Sequence, residues 1–358
     1  MSVEKTHGPG VPLEPPASAP GRPGGPAAAY LPDPSGNGRA PASRRGRGPR
    51  PAGVAGRRRH NGVAITLFLA PALILFVTFV AVPIVVAMYT SLFKWNGFGL
   101  PEDFIALDNF TRLAKDEVFQ GDLKRGGILI VLSLIVQLPM ALGLAMLLNQ
   151  PLKGRSVYRV LFFAPYVLSE VTTGVLFSLV FSPNQGLANQ LTGWFGLGEG
   201  RGDIWLADEN VVLYTLFFVI TWKYFGFHMI LYLAGRQNIP NEIIEAAAVD
   251  GAGAWKTFRY ITLPLLGPTI RISVFLSVIG AIQLFDMVWV LTLGGPIHAS
   301  ETMAVTMFQF GFRRFEVGYA SAISVSMFLI SLVFALLYQR FVLRRDIEGA
   351  VTNMGNQR

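Results

Sequence analysis

Cysteine is absent from all 358 residues. That excludes a disulfide framework, a thiolate metal site and a thiol nucleophile, and leaves the redox compartment open. Charge is scarce as well: Asp, Glu, Lys and Arg make up 15% of the chain, where a soluble domain carries about 25%. With 52% hydrophobic residues and a mean hydropathy of +0.46, much of the chain does not face water. Four histidines, His7, His60, His228 and His298, are scattered, and no His/acid cluster has metal-ligand spacing. There is no Gly-x-x-x-x-Gly-Lys-Ser/Thr phosphate loop, because the Lys153-Gly154 and Lys256-Thr257 pairs lack its glycines. Nor is a Ser/His/Asp arrangement recognisable. Nucleotide hydrolysis by this chain alone is therefore not expected.

What is present is a basic excess and long apolar runs. The formal net charge is +8, a balance that sometimes marks nucleic-acid binders. Its distribution argues otherwise: Arg44, Arg45, Arg47, Arg50, Arg57, Arg58 and Arg59 sit just before the first apolar run. Basic residues in that place hold a flank on the cytoplasmic side of a membrane. Residues 1–60 are rich in Pro, Gly, Ala and Arg and read as a disordered basic cytoplasmic tail, unable to bury enough surface to offset its ordering entropy. A signal peptide is not expected, because the run behind the basic block is too long for an h-region.

About 20 apolar residues in a helix cross a hydrocarbon core. Six segments reach that length: 63–93, 126–149, 158–181, 211–234, 265–293 and 318–343. The expected fold is all-α, a six-helix transmembrane domain over 61–345 with a short cytoplasmic tail at 346–358. Basic residues set the topology. With the N-terminus inside, inner loops hold Lys153, Arg155 and Arg159, then Arg236, Lys256 and Arg259, then Arg344 and Arg345. The first outer loop is the exception, with Arg112, Lys115, Lys124 and Arg125 among six acids. Both termini are expected in the cytoplasm. The outer loops 94–125 and 182–210 carry Trp95, Trp194 and Trp205, expected as interfacial anchors. Residues 302–312 are apolar but too short to cross, and predict a surface or partly inserted helix.

The inner loop at 240–264 has its own pattern. Pro240 suits a helix start, Ile243 to Val249 continue it, and Gly251 suits the left-handed residue that ends it. A second helix over Ala254 to Ile261 is limited by Pro264. Ala246, Ala247, Ala248 and Ala252 leave a surface nearly bare of bulk, open to a partner protein or to packing on the chain's own bundle.

The spacing Glu245-Ala246-Ala247, three residues, Gly251, nine residues, then Ile261, Leu263 and Pro264 resembles the EAA loop of ABC importer permeases. The likeness extends over about 63–345. Segments such as Leu206-Ala207-Asp208, Phe285-Asp286, Gly294-Gly295-Pro296 and Gly318-Tyr319-Ala320 are similar to the carbohydrate-uptake branch, the first membrane subunit of maltose, lactose and glycerol-3-phosphate type systems. The resemblance implies a type I importer permease with no cofactor of its own, ATP and Mg residing on a partner ATPase. It implies docking of a cytoplasmic ATPase dimer on Glu245, Ala246, Ala247, Asp250 and Gly251. It further implies a second homologous permease, an extracytoplasmic solute-binding protein and a plasma-membrane location.

Ionisable groups inside spans are costly and face a partner or a cavity. Lys223 and Glu170 fall near mid-span and are expected either to pair across spans four and three or to line the path, with a structural pair favoured for Glu170. Arg271 is expected near the inner interface. Gln283, Phe285, Asp286 and Trp289 lie within seven residues of span five, and with Lys223 make the candidate substrate path, since aromatic faces and hydrogen-bonding groups suit sugars. An aromatic stripe in a membrane helix is also ordinary packing. Alternatives are the same fold with a non-sugar cargo (amino acid, polyamine or phosphate ester) or an ion-coupled secondary transporter. The latter predicts internal repeats and acids on broken helices; no repeat is visible.

Overall fold

The computed structural model describes residues 54–183, 186–194 and 204–343, with side chains from Ile65 onward. Its helices run in chain order as α1 (Val54–Phe76), α2 (Val82–Thr90), α3 (Asp108–Lys115), α4 (Glu117–Leu132), α5 (Leu138–Leu148), α6 (Arg155–Val167), α7 (Glu170–Val180), α8 (Leu187–Trp194), α9 (Val212–Gln237), α10 (Asn241–Val249), α11 (Ala254–Thr257), α12 (Leu263–Leu265), α13 (Gly267–Ile282), α14 (Asp286–Leu291), α15 (Met303–Phe308) and α16 (Val317–Tyr338). A short antiparallel hairpin, β1 (Phe93–Lys94) and β2 (Asp103–Phe104), pairs Phe93 with Phe104 and Lys94 with Asp103.

Four helical stretches are long and apolar enough to cross a membrane: Ile65–Thr90, Glu117–Leu148, Val212–Gln237 and Val317–Leu343. Two bent pairs pass the same test together. Arg155–Val167 with Glu170–Val180 turns by 98°, and Ala254–Leu265 with Gly267–Ile282 by 66°. They lie over the segments read from the sequence, with three departures. The first helix begins at Val54 rather than 63, because arginines at 57–59 continue helical backbone readily. The other residues of the predicted tails, 1–53 and 346–358, lie outside the described residues. The segment 265–293 is not one rod: it bends near Leu266 and breaks again between Ile282 and Asp286.

The third departure is at 126, where the sequence placed an outer loop and the structure begins the helix at Glu117. Asp116 caps it, accepting from the Val118 and Phe119 N–H groups. Two of the charges assigned to that loop, Asp122 and Arg125, are instead folded in. Asp122 is 1% exposed and accepts from Arg125 Nη2 at 2.6 Å and Thr306 Oγ1 at 2.6 Å. Arg125 Nε donates to the Glu301 carbonyl at 2.8 Å. Glu301, itself buried, pairs with His298 and lies 2.9 Å from Thr306 Oγ1. The cluster also seats residues 302–312, expected as a surface or partly inserted helix: Met303, Ala304, Val305 and Thr306 are buried, with Thr306 a polar partner inside the bundle, while Phe312 is exposed.

Three prolines sit inside helical stretches by one device. Wide π-helical turns at Val77–Ala81, Ser133–Gln137 and Phe258–Thr262 each end two residues before a proline, Pro83, Pro139 and Pro264. In each case the residue before the proline donates its N–H five residues back: Val82 to Val77, Leu138 to Ser133, Leu263 to Phe258. The wider turn carries a residue that lacks an N–H and crowds the preceding turn. Pro264 therefore does not limit the second loop helix, which continues to Leu265.

The core centres on α9. Its N-terminal half buries Leu216 and Val219 with Phe177, Met287 and Val305, and its C-terminal half buries Met229, Tyr232 and Leu233 with Ala141, Ala145 and Leu148. A third cluster joins Leu113 and Phe119 to Ile282, Tyr319 and Ile323. Lipid is as apolar as a side chain, so helix association relies on close packing of small residues. Gly226 shows it: a β-carbon there would lie 1.9 Å from the Phe162 carbonyl oxygen of α6. Trp205, expected as an interfacial anchor, instead packs against Phe181 and donates to Asn189 Oδ1 at 2.6 Å.

Candidate functional site

Two places concentrate functional geometry. The first is the segment 240–264. Pro240 stands as the residue before the helix, and Glu242 lies in the first turn of α10, where a carboxylate suits the positive end of the dipole. The helix ends in a Schellman motif. Gly251 takes φ +77°, its N–H donates to Ala248 O at 3.1 Å, and Ala252 N–H donates to Ala247 O at 2.9 Å. Glu245, Ala246, Asp250 and Gly251 are exposed, whereas Ala247 is buried within the chain. Val249 and Trp255, 87% and 72% exposed, extend an apolar and small-residue surface beside them.

The second place is inside the bundle. The α6 and α7 helices meet at a sharp bend whose corner is Leu168 and Ser169. Lys223 of α9, 2% exposed, donates from Nζ to the Leu168 carbonyl at 2.5 Å and lies 3.6 Å from Glu170 Oε1. Its cation thus meets the carbonyl end of one helix while the Glu170 carboxylate stands in the first turn of the next. Both placements oppose the local helix dipoles. Tyr224 OH donates to Glu170 Oε1 at 2.5 Å. The pairing expected for Lys223 and Glu170 is present, with a bend as its setting.

Beside this corner is a cavity of about 260 Å³. Its walls combine the rings of Tyr166, Phe217, Tyr224 and Phe227 with the polar groups of Ser133, Gln137, His228 and Ser277. Tyr166 stacks on Phe227 at 4.8 Å between centroids. His228 Nδ1 is tied to Ser273 Oγ at 2.6 Å. Gln137 is 2% exposed and its amide Nε2 has no hydrogen-bond partner.

The other residues read from the sequence lie elsewhere. Gln283 and Phe285 occupy the break before α14, and Asp286 opens that helix. Gln283 and Asp286 are exposed. Phe285 and Trp289 stack at 5.7 Å, Phe308 meets Trp289 at 4.7 Å, and the Arg313 guanidinium lies 5.0 Å over the Trp289 ring. None of the four lines the cavity. Gln137, Tyr166, His228 and Ser273 were missed in the sequence. The available signal was a polar residue inside an apolar run, which for Gln137 and His228 was visible. Among the described residues, no group of three His, Cys, Asp or Glu side chains is placed to hold a metal.

The family described as binding-protein-dependent transport system inner membrane component matches residues 118–347. The chain is 34% identical to the lactose transport system permease protein LacF of Rhizobium radiobacter over 292 residues, 81% of this chain and 96% of that one. It is 32% identical to the diacetylchitobiose uptake system permease protein NgcF of Streptomyces coelicolor over 312 residues, 83% and 88% of the two chains. Among solved structures, it is similar in fold to a bacterial ABC transporter involved in alginate import, with TM-score 0.72, 24% identity and coverage of 81% of this chain and 98% of that one. The chain belongs to the family of binding-protein-dependent transport system inner membrane components, as a multi-pass ABC transporter permease of the plasma membrane.

Proposed function

We propose that this chain is the membrane-spanning permease of an importer for a sugar or related carbohydrate, driven by ATP hydrolysis on a separate ATPase dimer. A solute-binding protein delivers cargo outside, and a second homologous permease completes the path. The chain crosses the membrane six times over 61–345, α6 with α7 counting as one span and α13 with α14 as another, with both termini in the cytoplasm. It carries no catalytic residue or cofactor; ATP and Mg belong to the ATPase.

The observation that carries this reading is the 240–264 segment: a Schellman-stopped helix presenting Glu245, Ala246, Asp250 and Gly251, continuous through α11 and α12 with the bend into α13. A rigid elbow of that kind passes motion from a docked protein to the bundle. The buried Ala247 acts there as packing that sets the elbow's angle. Cargo class is supported by the sugar systems named for the two relatives and by the ring-and-hydroxyl chemistry of the cavity wall.

Reversing the exposed charge tests docking. Glu245→Lys is expected to leave membrane abundance and thermal stability unchanged, to stop co-purification of the ATPase, and to lower uptake at least about tenfold, a loss of about 1.4 kcal/mol in association. Uptake by the purified chain alone in liposomes, or a docked ATPase on the variant, would overturn the reading.

A further inference from the structure

We infer that the cargo carries no net charge: this chain's side of the path accepts neutral, hydroxyl-rich solutes and rejects phosphate esters, uronates and sulfonates. The inference rests on the carbohydrate reading above and narrows it, since carbohydrates of both kinds exist.

The cavity wall supplies hydrogen-bonding groups and rings, with no lysine, arginine, aspartate or glutamate among its lining residues. The Gln137 side chain, the Ser133 and Ser277 hydroxyls and the rings of Tyr166 and Tyr224 stand in this wall. Neutral hydroxyls accept and donate such bonds, and the C–H faces of a sugar ring suit Tyr166 and Phe227.

An anion needs more. A charge leaving water for a dry pocket is tolerated only with a counter-ion and further hydrogen bonds. The buried cation beside the cavity is Lys223, and it is committed to the Leu168 carbonyl and Glu170. The acid at this corner is Glu170. A phosphate or carboxylate entering there meets a carboxylate and a cation already occupied. A cationic cargo fares no better at Glu170, whose Oε1 already accepts from Tyr224 and faces Lys223.

The cargo can be found without guessing it. The source organism and a strain lacking this gene are grown in a hydrolysate containing neutral oligosaccharides, uronic-acid oligosaccharides and sugar phosphates. Mass spectrometry of the spent medium then identifies solutes depleted by the parent and the complemented strain but spared by the deletion. The expected solute is a neutral saccharide. A spared uronate, phosphate ester, sulfonate or amino compound would overturn the inference. A neutral solute that is not a carbohydrate would sink the cargo class and leave the charge rule standing; no spared solute at all would sink both. In Glu170→Gln cells, where Lys223 loses its counter-charge, the preference for that cargo over its uronate analogue should fall at least about threefold. An unchanged ratio would remove the assignment of charge selection to this pair.

Discussion

The helices Ile65–Thr90 and Val212–Gln237 look alike as apolar runs and live in opposite surroundings. Ile65–Thr90 has a mean hydropathy of 2.7 over its most apolar window and buries none of it; Val212–Gln237 reaches only 1.4 and buries half. The more apolar helix is the outer one. The less apolar helix is the hub, because Lys223 and His228 need a protein interior to satisfy them, and lipid offers no partners. In this chain polarity within a span marks the inside of the bundle, and a clean apolar run marks what faces lipid or another subunit.

That contrast predicts where substitutions hurt. The largest effect belongs to Gly226→Leu in Val212–Gln237, where the added β-carbon would meet the Phe162 carbonyl. Overpacking against backbone costs at least about 3 kcal/mol, so little folded protein should be recovered on size-exclusion chromatography. Next is Lys223→Met, which leaves Glu170 half-buried without its cation and should cost about 3 kcal/mol. The double variant with Glu170→Gln removes both charges and should recover most of that loss in thermal unfolding. Ser273→Ala, which leaves the buried His228 Nδ1 unmatched, should cost about 1–2 kcal/mol. The smallest effect belongs to Ile65–Thr90: Phe68→Leu and Val85→Ala, both exposed, should stay within about 0.5 kcal/mol for the isolated chain. A loss at Val85 equal to that at Lys223 would erase the contrast.

Much of the helical layout was legible, because apolar length is a property of the chain itself. The 240–264 loop was legible for a different reason: its glycine, its alanines and its spacing are local, and Gly251 takes the left-handed turn its position suggested. The bends were not legible. The 98° corner at Leu168 is held from Lys223, 55 residues away, a contact that the local signals there, Pro165 and the Ser169 cap, do not contain. The outer boundary of the second span was misread because Asp122 and Arg125 count as loop charges until Thr306 and Glu301 are folded against them. The proline reading failed at Pro264 because a wider turn absorbs what a regular one does not. Of the proposed path residues, Phe285 and Trp289 come together while Lys223 sits in another group, a division that spacing along the chain does not contain.

The corner at Leu168 also constrains how the polypeptide is made. Synthesis runs from the N-terminus, so Glu170 and the open carbonyl of Leu168 leave the ribosome some fifty residues ahead of the lysine that completes them. Until then the nascent third segment holds an acid with no mate, a state that hydrocarbon disfavours. Insertion of Arg155–Val180 and Val212–Gln237 as one hairpin is the expected outcome, since it gives the acid its mate before hydrocarbon surrounds it.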